Sequence, residues 1–248
     1  MTLSPPADQF AVSGTFNFRD TGGLRTVDGG KTRRGILLRS AQLTGLDTVG
    51  QATLRDMRVS DVHDLRAIPE IDYHGSDNLP AEIRLHITPF DSRMGQQPPH
   101  EAQTDSAREH MHEVYRMFPL LPEANSAIVR LADSLVDGAG AVLVHCAAGK
   151  DRTGWAVASI LRAIGVGEAD VLADFLLSNA AVPSLRTMLG AKLSAGEQLS
   201  EDILGVREEY LAIGTASALA AHGSMEGYFA AIGLTPQLRE RLRTRLLE

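Results

Sequence analysis

Cysteine is nearly missing from this sequence: its 248 residues contain one, Cys146. A lone thiol excludes an internal disulfide framework and fits a reducing compartment. A basic excess is missing as well. With 24 Lys and Arg against 31 Asp and Glu, the formal charge is -7. That balance excludes a general binder of nucleic acid or anionic membranes, which carries a basic face. There is no 18-residue apolar stretch, so no integral membrane segment is expected. The opening Met1-Thr2-Leu3-Ser4-Pro5-Pro6 lacks a charged start followed by an apolar run. The expected location is therefore the cytoplasm, or outside the cell after export without a Sec-type signal peptide. Low-complexity runs, repeats and linker-like composition shifts are absent too, which predicts one domain over residues 1–248.

What is present is an alternation of strand-like and helix-like segments, the pattern of an α/β fold with a largely parallel sheet. Strands are expected at 35–39 (GILLR), 60–65 (SDVHDL), 83–88 (IRLHIT) and 141–145 (AVLVH). Helical periodicity covers 47–57, with Asp47 near its start, and 126–136. The segment 153–164 (TGWAVASILRAI) is apolar almost all round, as expected of a helix buried against the sheet. Further helices are expected at 170–178, 182–193, 200–213, 225–231 and 236–247, punctuated by Gly190, Gly196, Gly214, Gly223 and Gly233. The polar, proline-containing stretch 92–106 reads as a mobile loop.

The chemistry concentrates in His145-Cys146-Ala147-Ala148-Gly149-Lys150-Asp151-Arg152-Thr153-Gly154. An apolar strand runs into this loop and the loop runs into an apolar helix, the place where α/β sheets bind ligands. Free N–H groups and the positive end of the helix dipole favour an anion there, and the small residues Ala147, Ala148 and Gly149 let the backbone wrap a phosphate. A thiol in that position is expected to ionise readily, which makes Cys146 the candidate nucleophile. Arg152 can fold back and grip two phosphoryl oxygens with its planar fork. Lys150 adds a cation to the rim, Thr153 can donate its hydroxyl to the thiolate, and His145 is expected to orient the loop. Gly149-Lys150 is not a Walker loop, because Val144 stands where that motif needs its first glycine and no hydroxyl residue follows Lys150.

With its flanking His145, Gly149, Thr153 and Gly154, this loop resembles that of the Cys-x5-Arg protein tyrosine phosphatase superfamily. Asn17-Phe18-Arg19-Asp20, Leu38-Arg39-Ser40, Asp64-Leu65-Arg66, Pro89-Phe90-Asp91, Ala173-Asp174-Phe175-Leu176 and Leu204-Gly205-Val206-Arg207 extend the likeness to the bacterial branch typified by a secreted mycobacterial tyrosine phosphatase. The resemblance implies a tyrosine-phosphatase-like fold, with a largely parallel central sheet flanked by helices and a C-terminal helical extension. It implies a helical lid over about 182–214. It also implies hydrolysis of phosphate monoesters through a phosphocysteine on Cys146. Phosphotyrosine heads the expected substrates, followed by phosphoserine, phosphothreonine, phosphoinositides and small phosphorylated metabolites.

The departures from the family pattern bear on the general acid. The sole tryptophan, Trp155, lies inside the expected buried helix, so there is no Trp-Pro-Asp loop. Asp151 is the first candidate acid, Asp91 the second and Asp20 the third. For Asp20 a turn carboxylate beside Gly22-Gly23 is an equal alternative. Arg19, Arg55 and Arg66 could add positive potential, with structural ion pairs as the default. Phosphoinositide phosphatases often carry loop lysines after both the cysteine and the glycine. Here Ala147 takes the first place and only Lys150 remains.

Rival readings fare worse. An arsenate reductase needs further cysteines, a rhodanese does not need Arg152, and a metallophosphatase needs clustered ligands beyond His110 and His112. No cofactor and no metal are expected. A non-catalytic phosphate-binding module is the remote alternative, and such modules usually lose the nucleophile or the arginine that this chain keeps.

Overall fold

The computed structural model describes residues 11–90, 107–190 and 200–248. Five strands form one sheet in the order β1-β2-β5-β3-β4. They are β1 (Arg19–Asp20), β2 (Leu37–Ser40), β3 (Val59–Asp64), β4 (Arg84–Ile87) and β5 (Ala141–His145). β1 pairs antiparallel with β2 and the other pairings are parallel. The alternation of β5 explains its central place. Val142 and Val144 join the larger apolar cluster on one face, while Ala141 and Leu143 join the smaller cluster on the other. A strand covered on both faces reads as a continuous apolar run, as AVLVH does.

Register sets the site. Ser40 and Asp64 lie on either side of His145, so β2, β3 and β5 end together and their following loops share one edge. The helix after β5, α5 (Asp151–Ala163), is buried along nearly its whole length, as its apolar sequence requires.

The remaining helices wrap this frame. α1 (Thr48–Asp56) starts at Asp47, whose carboxylate accepts from the N–H groups of Val49 and Gly50, the expected cap. α2 (Ile68–His74), α3 (Ala107–Met117) and α4 (Pro122–Asp137) follow. α4 begins earlier than its periodicity suggests because Pro122 suits a first turn. Then come α6 (Glu168–Leu176), a 3-10 run (Leu177–Ala181) and α7 (Val182–Gly190). Residues 191–193 of the expected 182–193 helix, Gly196 and the expected loop 92–106 lie outside the described residues.

The expected helix at 200–213 is instead two. α8 (Glu201–Leu204) and α9 (Glu208–His222) are separated by Gly205-Val206-Arg207. Asn179 makes the break: its Nδ2 donates to the Val206 carbonyl at 2.9 Å and its Oδ1 accepts from the Val206 N–H at 2.7 Å. A tertiary contact thus overrides local helical preference. Gly214, expected as punctuation, sits inside α9 for a packing reason, since a Cβ there would lie 2.6 Å from Trp155 Cζ3. Gly223 and Gly233 do end α9 and α10 (Met225–Ile232) in left-handed conformations, before α11 (Pro236–Leu246).

Gly214→Ala gains helix propensity of about 1 kcal/mol, but it forces a methyl into a fully buried indole, at about 1–3 kcal/mol. We expect a net loss near 1 kcal/mol and a Tm lower by roughly 2–4 °C, measured by thermal melting. An unchanged or raised Tm would contradict the close packing of α9 on Trp155.

Candidate active site

The loop after β5 is held from outside by its carbonyls. Gln42 N–H donates to Ala147 O at 3.1 Å, Asn17 Nδ2 donates to Ala148 O and Gly149 O at 3.0 Å each, and Arg39 Nη2 donates to Gly149 O at 2.9 Å. With three successive carbonyls taken by the scaffold, the peptide N–H groups that alternate with them are the loop's remaining donors, at the positive end of α5. Gly149 makes the turn possible. Its φ is +68°, and a Cβ there would lie 2.1 Å from Ser40 O.

Cys146 and Arg152 are both buried at this loop, with 3% and 1% of their surface exposed. Arg152 is gripped by Glu70 of α2, Nη1 to Oε2 at 2.5 Å and Nη2 to Oε1 at 2.8 Å. Burial works against the guanidinium charge, yet Glu70 and the neighbouring Cys146 hold its pKa above the usual value. Burial likewise opposes ionisation of Glu70, and Arg152 outweighs it to lower that pKa. This pairing occupies the Nη1–Nη2 end of the guanidinium. Arg152 Nε and Thr153 Oγ1 are buried without a hydrogen-bond partner. The Nε–Nη2 edge is the fork that matches two oxygens of a phosphoryl group.

Asp151 opens α5 and is also buried. Its Oδ2 meets Lys150 Nζ at 2.6 Å and its Oδ1 accepts from Tyr115 Oη of α3 at 2.9 Å. Lys150 Nζ also donates to Gly205 O, between α8 and α9, at 3.4 Å. The loop lysine is therefore committed to a carboxylate and a carbonyl.

Beneath the loop lie two buried ion clusters. In the first, Asp174 of α6 bridges Arg19, at 2.9 Å, and Arg39, at 2.5 Å, and both guanidinium groups donate to Ser178 Oγ. Burial raises the Asp174 pKa, but the two arginines overcome this and lower it. Arg19 also donates to Asn17 Oδ1 at 2.6 Å, so it supports the side chain that holds Ala148 and Gly149. In the second cluster His145 Nε2 meets Asp77 Oδ2 at 2.6 Å. Arg66 pairs with Asp64 at 2.7 Å and with Asp77 at 3.1 Å. Burial disfavours the imidazolium, yet Asp77 and Asp64 push the His145 pKa up to about 9. The oxygens of Asp64 and Asp77 and a ring nitrogen of His145 lie within 4.8 Å of one another, a spacing that would suit a metal ion. Arg66 bonded to both carboxylates already supplies the compensating charge, so the group fits an ion cluster better than a metal centre.

The other candidates fall elsewhere. Asp20 accepts from the N–H groups of Gly22, at 2.8 Å, and Gly35, at 2.6 Å, the turn role. Arg55 makes an exposed pair with Glu82. His112 on α3 lies 3.4 Å from Glu209. Asp91 is outside the described residues. Over the loop, Ala148 packs in a separate apolar cluster with Leu185 and Leu189 of α7 and Leu204 of α8.

Glu70, Tyr115 and Asp77 were not singled out from the sequence. Glu70 had a faint signal, an acid in the first turn after Pro69, and its Oε2 does accept from the Ala67 N–H at 2.8 Å. Asp174 was noticed only as part of a family motif.

The chain matches, over residues 10–248, the model described as the tyrosine phosphatase family, and it belongs to that family: it is a phosphatase, a hydrolase of phosphate monoesters. It is 33% identical to the triple specificity protein phosphatase PtpB of Mycobacterium tuberculosis across 95% of this chain and 98% of the relative. A Cupriavidus necator protein carrying a tyrosine-protein phosphatase name is 31% identical across 86% of this chain and 79% of its own length. The crystal structure of P. aeruginosa TpbA aligns with 17% identity and a TM-score of 0.40 over 82% of this chain and 89% of that one, a likeness too loose to argue from. Among the described residues no helix is long and apolar enough to cross a membrane.

Two predictions follow from the buried charges. Glu70→Gln leaves Arg152 short of its counter-charge, so chemical denaturation should report a loss of about 3 kcal/mol; a loss below 1 kcal/mol would show the pair to be dispensable. For His145 the folded pKa, about 9, lies above the unfolded value of about 6.5. Its stabilising contribution, roughly 3 kcal/mol, is therefore complete below pH 6.5 and lost as pH rises through 9. Urea midpoints should fall across that window in the wild type. Asp77→Asn, already weaker at pH 7, should lack most of the slope.

Proposed function

We propose that this phosphatase works through Cys146 as nucleophile, with residues 1–248 acting as one phosphatase domain. The observation that carries the proposal is a buried sulfur in the loop that opens α5, beside a clamped guanidinium whose Nε is buried without a hydrogen-bond partner.

In the first step the Cys146 thiolate attacks phosphorus, and the electron pair of the breaking P–O bond goes to the leaving oxygen. Asp151 gives that oxygen a proton. Arg152 and the loop N–H groups from Ala147 to Arg152 bind the three equatorial oxygens and take up the charge that spreads over them. In the second step water attacks phosphorus, Asp151 takes the water proton, and the P–S pair returns to sulfur while Thr153 donates its hydroxyl to it. Lys150 and His145 support the loop, and Arg19 does so through Asn17. Asp91 is the second candidate acid.

Phosphotyrosine is the first substrate we assign, in keeping with the family and with a loop whose lysine is tied to Asp151. Phosphoserine, phosphothreonine and phosphoinositides follow on the strength of the triple-specificity relative. The stretch 182–214 acts as a lid: α7 and α8 already pack on Ala148, and substrate entry requires them to move. A single, buried thiol accords with action in the cytoplasm or after export.

Hydrolysis of an aryl phosphate should be inhibited by vanadate, be indifferent to a chelator, and vanish in Cys146→Ser. Activity surviving that substitution would end the nucleophile assignment. Asp151→Asn and Asp91→Asn should be compared on esters with good and poor leaving groups. In kcat/KM, which reports the ester-cleaving step, the true acid is worth about 100-fold or more on the poor one and little on the good one.

A further inference from the structure

Tyr115 is a fully buried phenol on α3, 36 residues before the loop aspartate to which it donates. A buried phenol needs an acceptor, and here the acceptor is the carboxylate that opens α5. The ring is fixed on three sides, by Phe118 at 5.0 Å, Tyr210 at 5.5 Å and Phe175 at 6.0 Å between centroids. The hydroxyl therefore approaches Asp151 from a constant direction. The other carboxylate oxygen, Oδ2, faces Lys150 Nζ at 2.6 Å. Burial first, and then the charge of Asp151, hold the phenol well above its usual pKa. It remains a donor and does not compete as an acid. With Oδ1 accepting from Tyr115 and Oδ2 facing Lys150, the carboxylate of Asp151 is fixed at both oxygens.

We infer that Tyr115 is a positioning residue for the phosphatase reaction: it fixes the rotamer of Asp151, the carboxylate that exchanges the proton. The inference rests on the reading of Asp151 as general acid. A misplaced carboxylate still binds substrate, so Tyr115 should act on kcat and leave KM alone. In the ester-cleaving step it should act only where the leaving oxygen needs a proton.

The test uses the full chain and a series of phosphate monoesters, from p-nitrophenyl phosphate, a good leaving group, to alkyl phosphates, poor ones. Tyr115→Phe keeps the ring contacts, and a thermal melt verifies the fold. We expect kcat for the poor leaving groups to fall about tenfold, the effect of removing one hydrogen bond to a charged group. KM for the poor leaving groups should stay within about twofold, and kcat/KM for p-nitrophenyl phosphate, which reports the ester-cleaving step alone, should hardly change. In the Asp151→Asn background, Tyr115→Phe should add no further loss, because the two act as one unit. An equal loss of kcat/KM across the series, a change in KM alone, or additive losses in the double variant would reduce Tyr115 to a packing residue and overturn the inference. The underlying reading fails separately. If Asp151→Asn itself is indifferent to the leaving group, Asp151 is not the acid. If it is selective and Tyr115→Phe is not, only the role of Tyr115 falls.

Discussion

The structure depends on keeping positive charge dry around one small loop. Arg19, Arg39, Arg66, Arg152, Lys150 and the His145 imidazolium are buried there, against Asp64, Glu70, Asp77, Asp151 and Asp174. Any one of these cations left alone in the interior would cost several kcal/mol. Pairing nearly all of them keeps the cluster close to neutral, so the interior holds these cations without repelling the fold apart.

The same economy of charge bears on what the site accepts. Lysine in a phosphate loop normally widens the range of anions a site attracts, but Lys150 is bound to Asp151 and to the Gly205 carbonyl. Its charge is internal to the machinery. With that charge tied up, the shape set by the helices packed over Ala148 is left to discriminate among phosphate esters.

Much of this was legible in the chain. The apolar run AVLVH, the small residues at 147–149 and the all-apolar helix after them are local signals, and each corresponds to an element the structure contains. The cap at Asp47 and the glycines at 223 and 233 are local as well. What sequence did not disclose is what depends on contacts distant along the chain. Glu70 lies 82 residues from the arginine it clamps. The split between α8 and α9 comes from Asn179, 27 residues upstream of Val206. The position of Gly214 is explained by Trp155, on another helix. Periodicity carries no information about such partners.

Asn179 has a consequence for how the family can vary. Because one side chain holds both backbone polar groups of Val206, and its neighbour Ser178 is held by two buried arginines, positions 179 and 206 are pinned together at a single point. The excursion between these positions is a closed loop in the topological sense. Lengthening such a loop raises its closure entropy only logarithmically. Insertions or deletions there would transmit little strain to the sheet, because both ends are already fixed to each other.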